Sequence, residues 1–161
     1  MRRKEKEIRT REGAEEILQQ AQVGRLGTVS RDGTPMIKPV NFVYRNGRIY
    51  FHSSLEGEKM DHLAFSSQVC FEVDEALAYL PASNSPCEAN FSFRSVILEG
   101  RARVLEDPEE KIRALNDLME KYQPGARLRP LNEQMVRKVG IVEIVAEKIT
   151  GKESKPPQGE S

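Results

Sequence analysis

The 161-residue chain is short enough for one domain around one core. Its 25 basic and 25 acidic side chains cancel, which argues against broad attraction to nucleic acid or to an anionic membrane. Tryptophan is absent and no apolar run approaches the roughly 20 residues of a membrane span, so neither a single-strand stacking platform nor a spanning helix is expected.

The charged start, Met1-Arg2-Arg3-Lys4-Glu5-Lys6-Glu7, has no apolar stretch after it. An export signal is therefore not expected, and a cytoplasmic setting with reduced thiols at Cys70 and Cys87 is. Thr10 is placed to cap a helix over residues 11 to 21, with Ala14, Ile17, Leu18 and Ala21 on its apolar face. Residues 23 to 29 read as a first strand, and Ser30-Arg31-Asp32-Gly33 as a turn. Residues 35 to 44 read as a second strand. Pro39 cannot donate a ladder hydrogen bond, so it belongs at an edge, a bulge or a ligand-facing gap. Asn46-Gly47 is a hairpin signal, and residues 48 to 52 follow as a third strand beside the second.

Residues 57 to 65 read as a short helix. Val69, Phe71 and Val73 alternate with Cys70 and Glu72 as a fourth strand, with Cys70 a small buried residue. Residues 75 to 90 show no period and read as a long loop holding Cys87. Residues 95 to 105 alternate as a fifth strand. Asp107-Pro108-Glu109-Glu110 starts a helix whose buried stripe is expected to be Ile112, Leu115, Met119 and Tyr122. A short helix near residues 132 to 138 precedes a last strand over residues 140 to 149. The polar, Pro- and Gly-rich residues 151 to 161 read as a disordered tail after a domain of residues 1 to 150. Six strands with peripheral helices suggest an antiparallel barrel, and an α+β sandwich also fits.

The chemistry-bearing stretch is Phe51-His52-Ser53-Ser54-Leu55-Glu56-Gly57-Glu58-Lys59-Met60. Helix-start amides, hydroxyls and a Lys ammonium together suit a phosphate. A plain strand-to-helix connection capped by Ser54 explains the same residues, and Lys38 on the neighbouring strand adds a second cation. His52 could bond a ring ligand or move a proton, or be an ordinary strand-end histidine. His62 is expected on the solvent side of its helix, and the two histidines make a poor metal pair. No Gly-x-Ser-x-Gly, Walker or dinucleotide pattern occurs.

Several segments in order carry a family resemblance: Val23-Gly24-Arg25-Leu26-Gly27-Thr28-Val29, Gly33-Thr34-Pro35-Met36-Ile37-Lys38-Pro39-Val40, Gly47-Arg48-Ile49-Tyr50-Phe51-His52-Ser53, Gly57-Glu58-Lys59-Met60, Asn90-Phe91-Ser92 and Arg94-Ser95-Val96-Ile97-Leu98-Glu99-Gly100-Arg101-Ala102. Over about residues 1 to 150 the chain resembles the pyridoxamine 5′-phosphate oxidase-related, FMN-binding split-barrel superfamily, in particular its nitroimidazole-resistance (Nim-type) branch. The resemblance implies a mainly β fold, a six-stranded antiparallel split β-barrel, and a homodimer with FMN at the subunit interface. It also implies an oxidoreductase acting on a small acceptor, with nitro-aromatics as a candidate class; a non-catalytic flavin- or haem-binding sensor or carrier is the alternative. Met36, Ile37, Lys38, Pro39, Val40 and Asn41 would run along the flavin ring. Phe51, His52, Ser53 and Ser54 would lie by the ribityl chain, and Gly57, Glu58 and Lys59 by the phosphate. Arg94 and Ser95 would come from the second subunit, and His52 would be the catalytic position. Two departures stand out. Glu58-Lys59 replaces an Arg-Lys pair, and the C-terminal Arg and His that grip pyridoxal phosphate have no counterpart, so vitamin B6 oxidation is not expected.

Overall fold

Thr10 accepts a hydrogen bond from the Gly13 amide at 3.2 Å and so starts α1 (Arg11–Gln20). The computed structural model describes residues 4–154. After a two-residue strand, β1 (Glu7–Ile8), and α1, the chain forms β2 (Gly24–Val29), β3 (Pro35–Val40), β4 (Val43–Arg45) and β5 (Arg48–Ser53). Then come α2 (Glu58–Phe65), β6 (Gln68–Leu80), β7 (Asn90–Val104), α3 (Pro108–Tyr122), α4 (Glu133–Val136) and β8 (Gly140–Ser154). Gly33 (φ 87°) closes the β2–β3 turn, and Asn46 (φ 50°) with Gly47 (φ 78°) closes the β4–β5 hairpin.

The strands form one antiparallel sheet in the order β3-β2-β6-β7-β8-β5-β4, with β1 added on β8. The two ends of this path, β3 and β4, are consecutive in the chain and separated only by Asn41 and Phe42. Val40 and Val43 are therefore no more than about 11 Å apart, and the sheet must curl until its edges meet. That is a split barrel: closed by chain connection, open in hydrogen bonding between β3 and β4. Inside it, Leu26, Phe42, Ile49, Phe51, Phe71, Val96, Leu98 and Val142 are fully buried. Phe42 and Phe71 meet edge to face at 4.8 Å.

The strand expected over residues 35 to 44 divides at the seam into β3 and β4, which with β1 turns six expected strands into eight. Pro39 stands on the edge strand β3, where its missing donor costs no ladder bond to a further strand. The strand beside β3 is β2, so Lys38 pairs with Leu26; β4, not β3, flanks β5.

Residues 75 to 90 are not one long loop. β6 runs on to Leu80 and pairs with the start of β7, from Glu75 opposite Arg94 to Leu80 opposite Asn90. A bulge at Leu77 breaks the alternation, and both faces of this ribbon are largely exposed, so no buried stripe marks it in the sequence. Its tip is residues 81 to 89, with Cys87 in a short 3-10 turn. Likewise residues 151 to 154, expected in the polar tail, extend β8 along Phe93–Val96, and residues 155 to 161 lie outside the described part. The buried side of α3 is Lys111, Ala114 and Leu118, one position off the expected stripe, with Leu115 half-buried. Among the described residues no helix is long and apolar enough to cross a membrane.

Candidate functional site

β5 delivers the central loop. Its alternation buries Phe51 and exposes His52, which pairs in register with Ile141 on β8. The chain then turns closely over Gly140, where a Cβ would stand 2.6 Å from the Ser53 carbonyl oxygen. Ser54 does not cap the helix; its hydroxyl accepts from the Glu56 amide at 3.2 Å. The cap residue is Gly57 (φ 107°), which has no side chain to satisfy the first-turn amides of α2. An exposed helix start with uncapped donors suits an anion.

Two ammonium groups flank that start. Lys59 is half-buried, lies 5.3 Å over the Phe51 ring and is in no ion pair among the described residues. Burial, and then the nearby Lys38 charge, pull its pKa down, so the two cations are close enough to repel. Lys38 in turn forms an ion pair with Glu58 at 3.4 Å. This approach is made by packing rather than strand pairing. His62 is buried in α2, and its Nδ1 lies 3.0 Å from the Thr28 hydroxyl on β2, fixing α2 beside the β2–β3 edge. The solvent-side expectation for His62 is thus corrected: its helix faces the barrel through that residue.

Met36, Lys38 and Val40 pair with the buried side of β2, at Thr28, Leu26 and Gly24. Pro35, Ile37 and Pro39 pair with Val29, Gly27 and Arg25 on the opposite face. That outer face carries a cleft of about 670 Å³ over β3, β2 and β6, lined by Arg25, Gly27, Pro35, Ile37, Cys70 and Glu72 among others. Gly27 lies between Ile37 and Cys70 in register, and its missing side chain leaves the floor open. Cys70 is exposed here, not buried, and partial burial followed by Glu99 and Glu72 raises its pKa. In the sequence Gly27 and Thr28 stand out only within a segment that carries the family resemblance, and Cys70 only by its strand alternation.

The sequence-predicted residues therefore fall into groups. Lys38, Gly57, Glu58 and Lys59 meet at the α2 start, with Ser53 and Ser54 leading into it. Met36 and Ile37 line the outer cleft. Val40 and Phe51 belong to the core, and Asn41 is exposed at the seam, where its amide reaches the Gln22 carbonyl at 3.4 Å. Arg94 and Ser95 lie at the far end of β8 from the loop, opposite Glu153 and Lys152, whereas Ser53 is opposite Gly140. Arg94 is engaged by Glu75 at 2.6 Å and Gln20 at 2.9 Å.

The seam beside this site is clamped by the end of α3. The Tyr122 hydroxyl lies 2.6 Å from the Gln22 carbonyl, and Lys121 donates to the Ala21 carbonyl at 2.6 Å while standing 3.9 Å from the Phe42 ring centre. Neither residue was singled out as functional from the sequence.

Comparison with known proteins agrees with this architecture. No curated protein matches significantly. A solved structure of a protein assigned provisionally to 5-nitroimidazole antibiotic resistance, from Bacteroides thetaiotaomicron, is 27% identical; the match covers 91% of this chain and 85% of that one, with a TM-score of 0.79. Flavocytochrome Anf3 of Azotobacter vinelandii is 25% identical over 94% of this chain and 71% of its own, with a TM-score of 0.80. An FAD- and haem-binding protein of Mycobacterium smegmatis shares the fold at 21% identity, covering 97% of this chain and 77% of its own, with a TM-score of 0.83. The family model described as pyridoxamine 5′-phosphate oxidase matches residues 10–153, and the chain belongs to that family.

Proposed function

We propose that the chain is a flavoprotein that binds FMN and passes electrons to a small acceptor, with nitro-aromatic compounds as the candidate class. The observation that carries this reading is the pair of ammonium groups, Lys38 and Lys59, at an uncapped helix start. The residues present fit a flavin phosphate: the half-buried Lys59, in no ion pair among the described residues, and the first-turn amides of α2 supply donors for it. The flavin ring would lie along the edge strand β3 and the Asn41 that follows it, over Met36 to Asn41, with the backbone of Phe51 to Ser54 beside the ribityl chain. When bound, the flavin supplies the redox chemistry, and the protein supplies orientation and charge. His52, exposed at the end of β5, would hold or deliver a proton to the acceptor.

The second half of the proposal is a cytoplasmic homodimer in which Arg94 and Ser95 of one subunit complete the site of the other. Their distance from the loop in one chain, and the exposed Ile37, Leu77, Tyr79 and Phe91, support it. The likenesses to the nitroimidazole-resistance protein and to the flavocytochrome support a redox flavin protein. The flavocytochrome likeness also favours a second reading, a flavin- or haem-binding carrier or sensor without turnover.

The test is anaerobic mixing of FMN-loaded protein with reduced nicotinamide, followed by a nitro-aromatic acceptor. Bleaching of the flavin band and its return on adding acceptor is the expected result. Binding without reduction would support the carrier reading instead, and absence of binding would remove both.

A further inference from the structure

We propose that His62 and Thr28 are a buried positioning pair for the flavin phosphate: their hydrogen bond sets the distance between the ring half of the site, on β3, and the phosphate half, at the α2 start. The inference rests on the flavin reading above. His62 is 7% exposed, and its Nδ1 lies 3.0 Å from the hydroxyl of Thr28, itself 7% exposed. On the helix, His62 follows Glu58 by four residues and Lys59 by three, so it stands one turn below both. On the sheet, Thr28 is opposite Met36, and Lys38 is the next residue of β3 on the same side. One hydrogen bond thus joins the helix that carries Lys59 to the strand pair that carries Lys38.

Little else fixes that spacing. Met60 and Leu63 pack on the core, but apolar contact is non-directional and lets a short helix shift along its axis. Among the described residues, the only other side-chain hydrogen bond or ion pair between α2 and β2 or β3 is Lys38 with Glu58 at 3.4 Å. Both of those groups are exposed, and a phosphate that recruits Lys38 competes with their ion pair. The His62–Thr28 bond is buried, away from the ligand and from salt. A flavin with a phosphate has to meet β3 and the α2 start at once, so its affinity depends on their separation. Riboflavin has no phosphate and uses the ring half alone.

The experiment measures dissociation constants of FMN and riboflavin, by quenching of flavin fluorescence, for the full-length protein and for Thr28→Val and Thr28→Ser. Valine keeps the shape of threonine and removes the hydroxyl; serine keeps the hydroxyl. Thr28→Val should bind FMN about fivefold more weakly with riboflavin unchanged, and Thr28→Ser should stay within about twofold of wild type for both. Lys59→Met, which costs roughly tenfold in the wild-type protein, should cost only about twofold when added to Thr28→Val, because the ammonium is then already out of place. Melting curves without ligand show that the variants are folded, and His62→Leu, which breaks the same bond from the helix side, should give the same split between FMN and riboflavin. Equal losses for FMN and riboflavin, FMN binding by Thr28→Val as tight as wild type, failure of serine to preserve it, or full additivity with Lys59→Met overturns the inference and leaves the flavin reading in place. If the wild-type protein binds no FMN, the flavin reading falls and this inference with it.

Discussion

The Tyr122 hydroxyl accepts a hydrogen bond from the Phe42 amide at 2.9 Å and lies 3.0 Å from the carbonyl of the same residue. Phe42 sits at the link between β3 and β4, where the two edges of the sheet meet and no ladder bonds serve the backbone. One phenol at the end of α3 thus replaces the missing strand partner. Tyr122→Phe should cost about 2 kcal/mol, because it strands a part-buried amide rather than removing a pair. Urea unfolding checks this, and a loss below about 0.5 kcal/mol would mean that water replaces the phenol.

Glu143 is a buried carboxylate of β8, 4% exposed, that accepts from Tyr50 at 2.9 Å and Arg103 at 2.6 Å and pairs with Arg48 at 3.3 Å. Glu143→Ala should destabilise by about 3 kcal/mol, since it leaves those donors facing each other. Burial, then the bond to Glu143, pushes the Tyr50 pKa up to about 12. Its folded value exceeds the unfolded one, so this contribution is present below about pH 10 and is lost as pH rises towards 12. Absorbance titration of Glu143→Gln should move Tyr50 down towards, but not to, 10, because burial remains.

Lys121 has the opposite sign. Burial, then Arg45, pulls its pKa down to about 8. The unfolded chain binds more protons between about pH 8 and 10.5, so the Lys121 contribution to stability rises with pH across that window. Wild type measured against Lys121→Met should gain stability from pH 8 to 10. A flat difference would show that the Phe42 ring and the Ala21 carbonyl hold the ammonium charged throughout.

Gly24 on β2 lies against a fully buried aromatic ring. A Cβ there would stand 2.1 Å from Cζ of Phe71, which is 0% exposed and has no space to retreat. Gly24→Ala should therefore lower stability by about 1–3 kcal/mol, an overpacking cost, in thermal or denaturant melts.

Strong local signals made much of this fold readable. The Thr10 cap, the Asn46-Gly47 hairpin and the Asp107-Pro108 helix start act within a few residues and appear where expected. The β6–β7 ribbon was not readable, because two exposed faces and a bulge at Leu77 leave no period to detect. His62 and Tyr122 were misread or missed for another reason: their partners Thr28 and Phe42 are distant in sequence and meet only through tertiary packing. The α2 start was legible as a phosphate candidate from Gly57 and Lys59. Which face of β3 each of Met36 to Val40 occupies emerged only from its pairing with β2.

The central claim is that the α2 start holds a flavin phosphate. Titration of FMN into the purified protein and into Lys59→Met, followed by flavin fluorescence and melting temperature, tests it most directly. Burial already works against the Lys59 charge, so Lys59→Met should leave the flavin-free protein as stable as wild type or more so. Wild type should show saturable binding and a melting temperature that climbs with FMN, and Lys59→Met should weaken binding roughly tenfold or more and lose most of that climb. Equal FMN binding by both proteins, or none by wild type, would contradict the claim.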